Sequence, residues 1–189
     1  MEFEDKQSTS PNETDAYLLN KIATKRDHLA MGQFYQAYRI RLGAFLYRLL
    51  HNRALVEEIY NEVMLIIWQK ASQFNGRSKV STWVLSIAYR HGLQGLRKEN
   101  KHLSVEQPIE QIVVTSEIVG EEQQIIRKAL AQLSFEHRTV IELAYFVGNN
   151  YAEIAEITNC SESTVKTRMF YARRRLLKEL AKIGITSVM

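Results

Sequence analysis

Asn150 to Leu180, NYAEIAEITNCSESTVKTRMFYARRRLLKEL, is the stretch whose reading decides the fold. Two helical patterns meet there at a tight polar break, Thr158-Asn159-Cys160. Asn150, with Glu153 three residues on, has the form of a capping box and opens the short first helix, Tyr151 to Ile157. Ser161 is placed to cap the second helix. Two helices joined steeply by so short a turn make a helix-turn-helix. Along the second helix Val165, Met169, Ala172, Leu176 and Leu180 recur at helical spacing and form its packed side. Ser163, Lys166, Thr167, Phe170 and Arg174 then fall on or near the opposite side.

From Lys166 to Lys178 this helix carries six Lys or Arg side chains and no acid. A cationic front on an apolar back suits a DNA major groove. Lys166 and Arg173 to Arg175 can neutralise phosphates, with counterion release supplying most of the affinity. Ser163, Lys166 and Thr167 lie in the first turns, within reach of base edges. Thr164, Arg168 and Tyr171 complete the candidate set. Phe170 either meets a thymine methyl or packs on the preceding helix. A merely solvated basic face, or a helix lying on an anionic membrane, is the plainer alternative; the capped short helix directly before it argues against both.

Outward from this segment the chain reads as all-helical. Two prolines and eight glycines in 189 residues leave few helix breakers. Hydrophobic residues at 46% and charged residues at 24% describe an ordinary globular protein. The net charge of +4 is weak evidence for a nucleic-acid partner, and its clustering matters more. The single cysteine, Cys160, excludes an internal disulfide framework and suits a reducing cytosol. No apolar run approaches the roughly 18 residues that span a bilayer, and the acidic, polar start is the reverse of a signal peptide. The expected location is cytoplasmic, without membrane insertion.

Residues 1–15 are expected to form a disordered tail. Helical periodicity starts at Ala16, and Phe34, Tyr38, Leu42, Phe45, Leu46 and Leu49 make one apolar stripe. His51 and Asn52 interrupt it, with Asn52 as the cap of a second helix that buries Ile59, Val63, Ile66 and Ile67. Phe74 to Lys79, FNGRSK, is a loop. A helix from about Val80 to Lys98 follows, in which Trp83 is a core anchor rather than a stacking platform. Pro108, Gly120 and scattered polar residues make 99–122 a flexible linker; the Ile112-Val113-Val114 run admits a short docked segment as the alternative. Stretched out, these ~24 residues reach roughly 80 Å, and as a coil they average about 27 Å. The organisation is therefore two small helical domains, 16–98 and 123–182.

At this point most of the chain resembles the extracytoplasmic-function (ECF) sigma factors of bacterial RNA polymerase. Leu133 to Gly148 and the helix-turn-helix are similar to their promoter −35-reading domain. Glu57 to Lys70, EEIYNEVMLIIWQK, followed by Phe74 to Lys98, FNGRSKVSTWVLSIAYRHGLQGLRK, resembles their polymerase-binding helix with its −10-reading loop and helix. The two matches stand in the family's order. The resemblance implies that Glu58, Asn61, Glu62, Leu65 and Gln69 contact the core polymerase (β′ and β subunits). It implies that Asn75, Arg77, Ser78 and Lys79, continued by Arg90 and Gln94, meet the single-stranded −10 element, where an unstacked base needs polar partners and the backbone a cation. The double-stranded −35 element falls to the C-terminal helix. Arg90 stands where the family often has asparagine, so promoter preference does not transfer; on the polymerase-contacting side, Asn61 stands where glutamine is usual. An inhibitory anti-sigma factor is a further implied partner; no cofactor, metal or small-molecule substrate is.

A conventional helix-turn-helix regulator with an N-terminal effector or dimerisation domain is the competing function, and it leaves the Glu57–Lys70 helix and the FNGRSK loop without a role. The chain is not expected to be an enzyme. His28, His51, His91, His102 and His137 show no metal-ligand spacing, Cys160 has no CxxC partner, and phosphate-loop and GxSxG motifs are absent from the sequence.

Overall fold

The computed structural model describes residues 11–102 and 121–182. The described residues form helices and turns, without strands: α1 (Pro11–Lys25), α2 (His28–Leu50), α3 (Arg53–Lys70), α4 (Val80–His102), α5 (Glu121–Ala131), α6 (Phe135–Ile141), α7 (Tyr151–Thr158) and α8 (Glu162–Ala181). A 3₁₀ turn, Ala71–Gln73, follows α3, and a π-helical turn, Glu142–Val147, continues α6. None of these helices is long and apolar enough to cross a membrane.

In the N-terminal domain α2 is the central element. The whole stripe from Phe34 to Leu49 is buried, with Phe34, Phe45 and Leu46 fully so. Asp27 starts this helix by accepting hydrogen bonds from the Leu29 and Ala30 amides at 2.9 and 3.0 Å. His51 ends it in a left-handed conformation, φ 54°. Asn52 caps α3 through the Leu55 amide at 3.2 Å. On α3 Ile59, Val63 and Ile67 are buried as expected, while Ile66 is only half-buried. Helices α3 and α4 approach closely at Gly95, where a Cβ would lie 3.0 Å from Leu55 Cδ1 and 3.3 Å from Ile59 Cδ1.

The ends of the expected segments move. Helix α1 begins at Pro11, inside the stretch read as a tail. Proline suits the first turn of a helix, where its missing N–H has no intrahelical role. Asp15 holds the new turn in place: buried, it accepts from the Tyr38 hydroxyl at 2.6 Å and pairs with Arg41 at 3.3 Å. Helix α4 runs on to His102, past the start of the expected linker, because Lys98 to His102 contains no breaker and Glu99 is tied to the Asn52 amide group at 2.7 Å. Helix α5 starts directly after Gly120. The Ile112–Val114 run lies outside the described residues.

In the C-terminal domain Val165, Met169 and Ala172 of α8 are buried, Leu176 and Leu180 only half so, and Glu179 is buried instead, between Arg175 (3.0 Å) and Lys182 (2.8 Å). The π-helical turn ends at Gly148, φ 84°, whose N–H reaches Leu143 O. Its wider winding shifts the apolar register, so Leu143 stays buried while Tyr145, Phe146 and Val147 face outward. Ser134, not singled out from sequence, caps α6 through the His137 amide.

The two domains rest on each other. Helix α4 packs against α7, and the end of α2 meets α6 and the π-helical turn. The Tyr89 and Phe135 rings stack across this boundary with centroids 5.5 Å apart.

Candidate nucleic-acid interface

The helix-turn-helix is built by its caps. Asn150 Oδ1 accepts from the Glu153 amide at 2.9 Å while Glu153 Oε2 accepts from the Asn150 amide at 3.0 Å, so two orphan donors of α7 are satisfied reciprocally. Asn159, φ 50°, makes the turn, a conformation asparagine tolerates better than most residues. Ser161 then caps α8 through the Thr164 amide at 3.2 Å.

This places Ser163, Lys166, Thr167, Phe170, Tyr171 and Arg174 in the open along α8. Among the described residues neither Lys166 nor Arg174 has an acidic partner, which leaves both charges available to phosphates. Phe170 is 61% exposed and meets Tyr171 edge-on at 5.3 Å, so it does not bury itself on the preceding helix. Thr164 is half-buried, its hydroxyl 2.9 Å from Ser161 Oγ. Arg168 turns away: one guanidinium nitrogen lies 3.8 Å from Cys160 Sγ, and the charge interacts with Tyr89 of α4.

In the N-terminal domain Asn75 Oδ1 accepts from the Arg77 amide at 3.0 Å, and Gly76, φ 72°, supplies the turn. Asn75, Arg77 and Lys79 are exposed and Ser78 is half-buried. Lys79 is bonded to Glu153 of α7 at 2.7 Å. Burial pushes the Glu153 carboxyl up, but its bonds to Lys79, Asn150 and Asn149 prevail and hold it below the usual range. Arg90 and Gln94 edge a cleft of about 230 Å³ between α3 and α4. Trp83, half-buried and tilted against Phe74 at 5.5 Å, forms part of its wall, so the core anchor also presents a face to the cleft. Lys70, Gln73 and His91 line the same cleft and were missed from sequence. The available signal was helical spacing: His91 follows Arg90, and Lys70 ends the facing helix.

Glu58, Asn61, Glu62, Leu65 and Gln69 are all exposed along one side of α3, and Leu65 is 54% exposed. Two members have partners. Asn61 faces the Tyr35 hydroxyl at 3.4 Å, and Glu62 lies 3.0 Å from His91 Nδ1. An aliphatic side chain ringed by acids and amides is a surface suited to a protein partner.

Residues 34–102 match the family model Sigma-70 region 2, and residues 123–176 match Sigma-70, region 4. The ECF RNA polymerase sigma factor SigK of Mycobacterium ulcerans is 30% identical over 169 residues, 84% of this chain and 89% of that one. The chain belongs to the ECF sigma factors. RpoE of Cereibacter sphaeroides, another ECF sigma factor, is 28% identical over 171 residues, 87% of this chain and 93% of that one. The sigma factor RpoE of Bartonella quintana, solved with the anti-sigma factor NepR, superposes with a TM-score of 0.68 at 25% identity, covering 79% of this chain and 97% of that one. This sigma factor is thus an all-α, two-domain transcription initiation factor that directs RNA polymerase to promoters. Sigma factors are generally non-enzymatic, and the competing reading as a stand-alone regulator gives way to the order of the two matched regions.

Proposed function

We propose that the exposed groups divide the work of promoter engagement among three surfaces. Glu58, Asn61, Glu62, Leu65 and Gln69 on α3 grip the core polymerase. Asn75, Arg77, Ser78 and Lys79, continued along the cleft by Arg90 and Gln94, take the non-template strand of the −10 element. An apolar wall beside cations and amides is what an unstacked base and its phosphates require. Ser163, Thr164, Lys166, Thr167, Arg168, Phe170, Tyr171 and Arg174 on α8 read and hold the −35 duplex. The chain works in the cytoplasm and is restrained there by an anti-sigma factor, as its crystallised relative is bound by one.

The observation that carries this reading is the division of α8: Ser163, Lys166, Thr167, Phe170 and Arg174 are exposed while Val165, Met169 and Ala172 behind them are buried. Run-off transcription with purified core polymerase on genomic fragments, with and without this chain, tests it directly. Lys166→Ala and Arg174→Ala should each lower −35 duplex affinity by about 1 kcal/mol and reduce the salt dependence by roughly one unit of slope. Polymerase association should remain intact in both. Loss of polymerase binding in these variants would mean the surfaces are wrongly assigned.

A further inference from the structure

Asn75 and Gly76, in the loop before α4, form an Asn-Gly pair; every other asparagine of the sequence precedes a residue that carries a side chain. Both members of the pair are exposed. Gly76 holds φ 72°, and beyond its chain neighbours no atom lies within 4 Å of where a Cβ would stand, so the approach to its nitrogen is open. Among the described residues the Gly76 N–H donates to no acceptor. The next amide along, that of Arg77, donates to Asn75 Oδ1 at 3.0 Å. This bond engages the side-chain oxygen of Asn75 and leaves its side-chain nitrogen unengaged among the described residues.

We propose that Asn75 is a self-modifying site, at which the loop converts its own amide to a carboxylate. The Gly76 nitrogen, giving up its proton, adds to the side-chain carbonyl carbon of Asn75 and forms a new carbon–nitrogen bond. Negative charge collects on Oδ1, where the Arg77 N–H already points. Collapse breaks the bond to the side-chain nitrogen, which takes up a proton in place of the one lost by Gly76 and departs as ammonia. A five-membered succinimide remains. Water then adds to one of its two carbonyl carbons, and the ring opens at that carbon's bond to nitrogen. Addition at the side-chain carbonyl gives aspartate. Addition at the main-chain carbonyl gives isoaspartate, with the backbone rerouted through the side chain. Water is the sole co-reactant, and nothing is oxidised or reduced. Glycine at 76 permits the step, since a Cβ there would crowd the nitrogen and restrict the backbone dihedrals that ring closure needs. The consequence rests on the surface assignments proposed above. A new carboxylate beside Arg77 and Lys79 offsets their charge toward DNA phosphates, and isoaspartate lengthens a loop that has to fit an unstacked base. The chain thus carries a clock: with age its −10 surface fails first, while the −35 surface on α8 is untouched.

The test incubates the full chain at physiological pH and temperature, digests timed samples with trypsin and follows the peptide Ala71–Arg77 by mass spectrometry against an unaged sample. A gain of one mass unit should accumulate at Asn75 at least as fast in the folded chain as in a synthetic peptide of residues 70–79. Asn75→Gln, whose cyclisation needs a larger ring, and Gly76→Ala should each slow the gain roughly ten-fold or more. Slower conversion in the folded chain than in the peptide, or an undiminished rate in either variant, overturns the site. Asn75→Asp, made directly, should lower run-off transcription with core polymerase several-fold while −35 duplex affinity stays as in the parent. Full transcription by Asn75→Asp overturns the clock. The mass measurement needs neither polymerase nor promoter, so it can fail while the surface assignments stand, and the reverse.

Discussion

The seam between α3 and α4 and the seam between the two domains both bring helices into contact over apolar side chains of one continuous core, but the second also carries buried charge. The first is apolar and close, with Leu55 and Ile59 lying against Gly95 so tightly that a methyl group would crowd them. The second carries Arg48, Glu142, Arg138, Lys79 and Glu153, with Tyr89 on Phe135 as its aromatic contact. Apolar burial persists whenever water is present, and its strength scales with area. Ion pairs give direction and register but little net stability. The contrast teaches that apolar packing supplies the strength of both seams, while charge on the second fixes how the domains meet.

The largest test of this contrast attacks the apolar side. Phe45→Ala, at a fully buried position, should cost about 3–5 kcal/mol in denaturant unfolding, through lost transfer energy and a residual cavity. A cost below about 1 kcal/mol would show that the N-terminal core is loosely packed. On the charged side, Arg48→Ser would orphan Glu142 if the domains could not part, at a cost of about 3–5 kcal/mol. A separable contact lets the carboxylate regain water, so the measured loss should stay under about 2 kcal/mol. A full-sized loss would make the seam a permanent one.

Smaller effects sharpen the picture within each domain. Asn150→Ala removes one half of the α7 capping box and should lower stability by about 1 kcal/mol, read as a reduced midpoint for the C-terminal domain. A separate effect concerns pH. Burial, then the nearby charges of Arg138 and Arg127, hold His51 down to about 4 from an ordinary 6.5, and its Nε2 has no partner. The unfolded chain takes up that proton first, so stability is full above pH 6.5, falls as pH drops toward about 4 and then levels. His51→Asn accepts the left-handed backbone and should flatten that slope in unfolding curves measured across the interval. An unchanged slope would assign the titration elsewhere.

What could be read in the sequence was local. Asn150 with Glu153, Asn52 and Ser161 announce helix starts within three residues of themselves, and the α2 stripe repeats at fixed spacing; all of these appear in the fold. The face of α8 followed from the same periodicity. The docking contact was not readable, because Arg48 and Glu142 stand far apart in the chain and neither is unusual where it stands. Arg138 and Glu142 lie in a stretch whose apolar neighbours were enough to suggest a helix, and nothing there signals that the helix widens into a π turn. The cleft escaped for a related reason: His91 has no metal-ligand spacing in the sequence, and only the fold brings Glu62 and Lys70 of α3 near it.

Arg138 has one further consequence. Besides Leu49 O it donates to Leu130 O, Ala131 O and Leu133 O, at 3.1, 2.9 and 3.1 Å, all within its own domain. Three of the four carbonyls that accept from this guanidinium therefore belong to the C-terminal domain, and one belongs to α2. The bond across the seam is thus offered by a group that its own domain already holds in place, so it adds register at little cost in side-chain freedom.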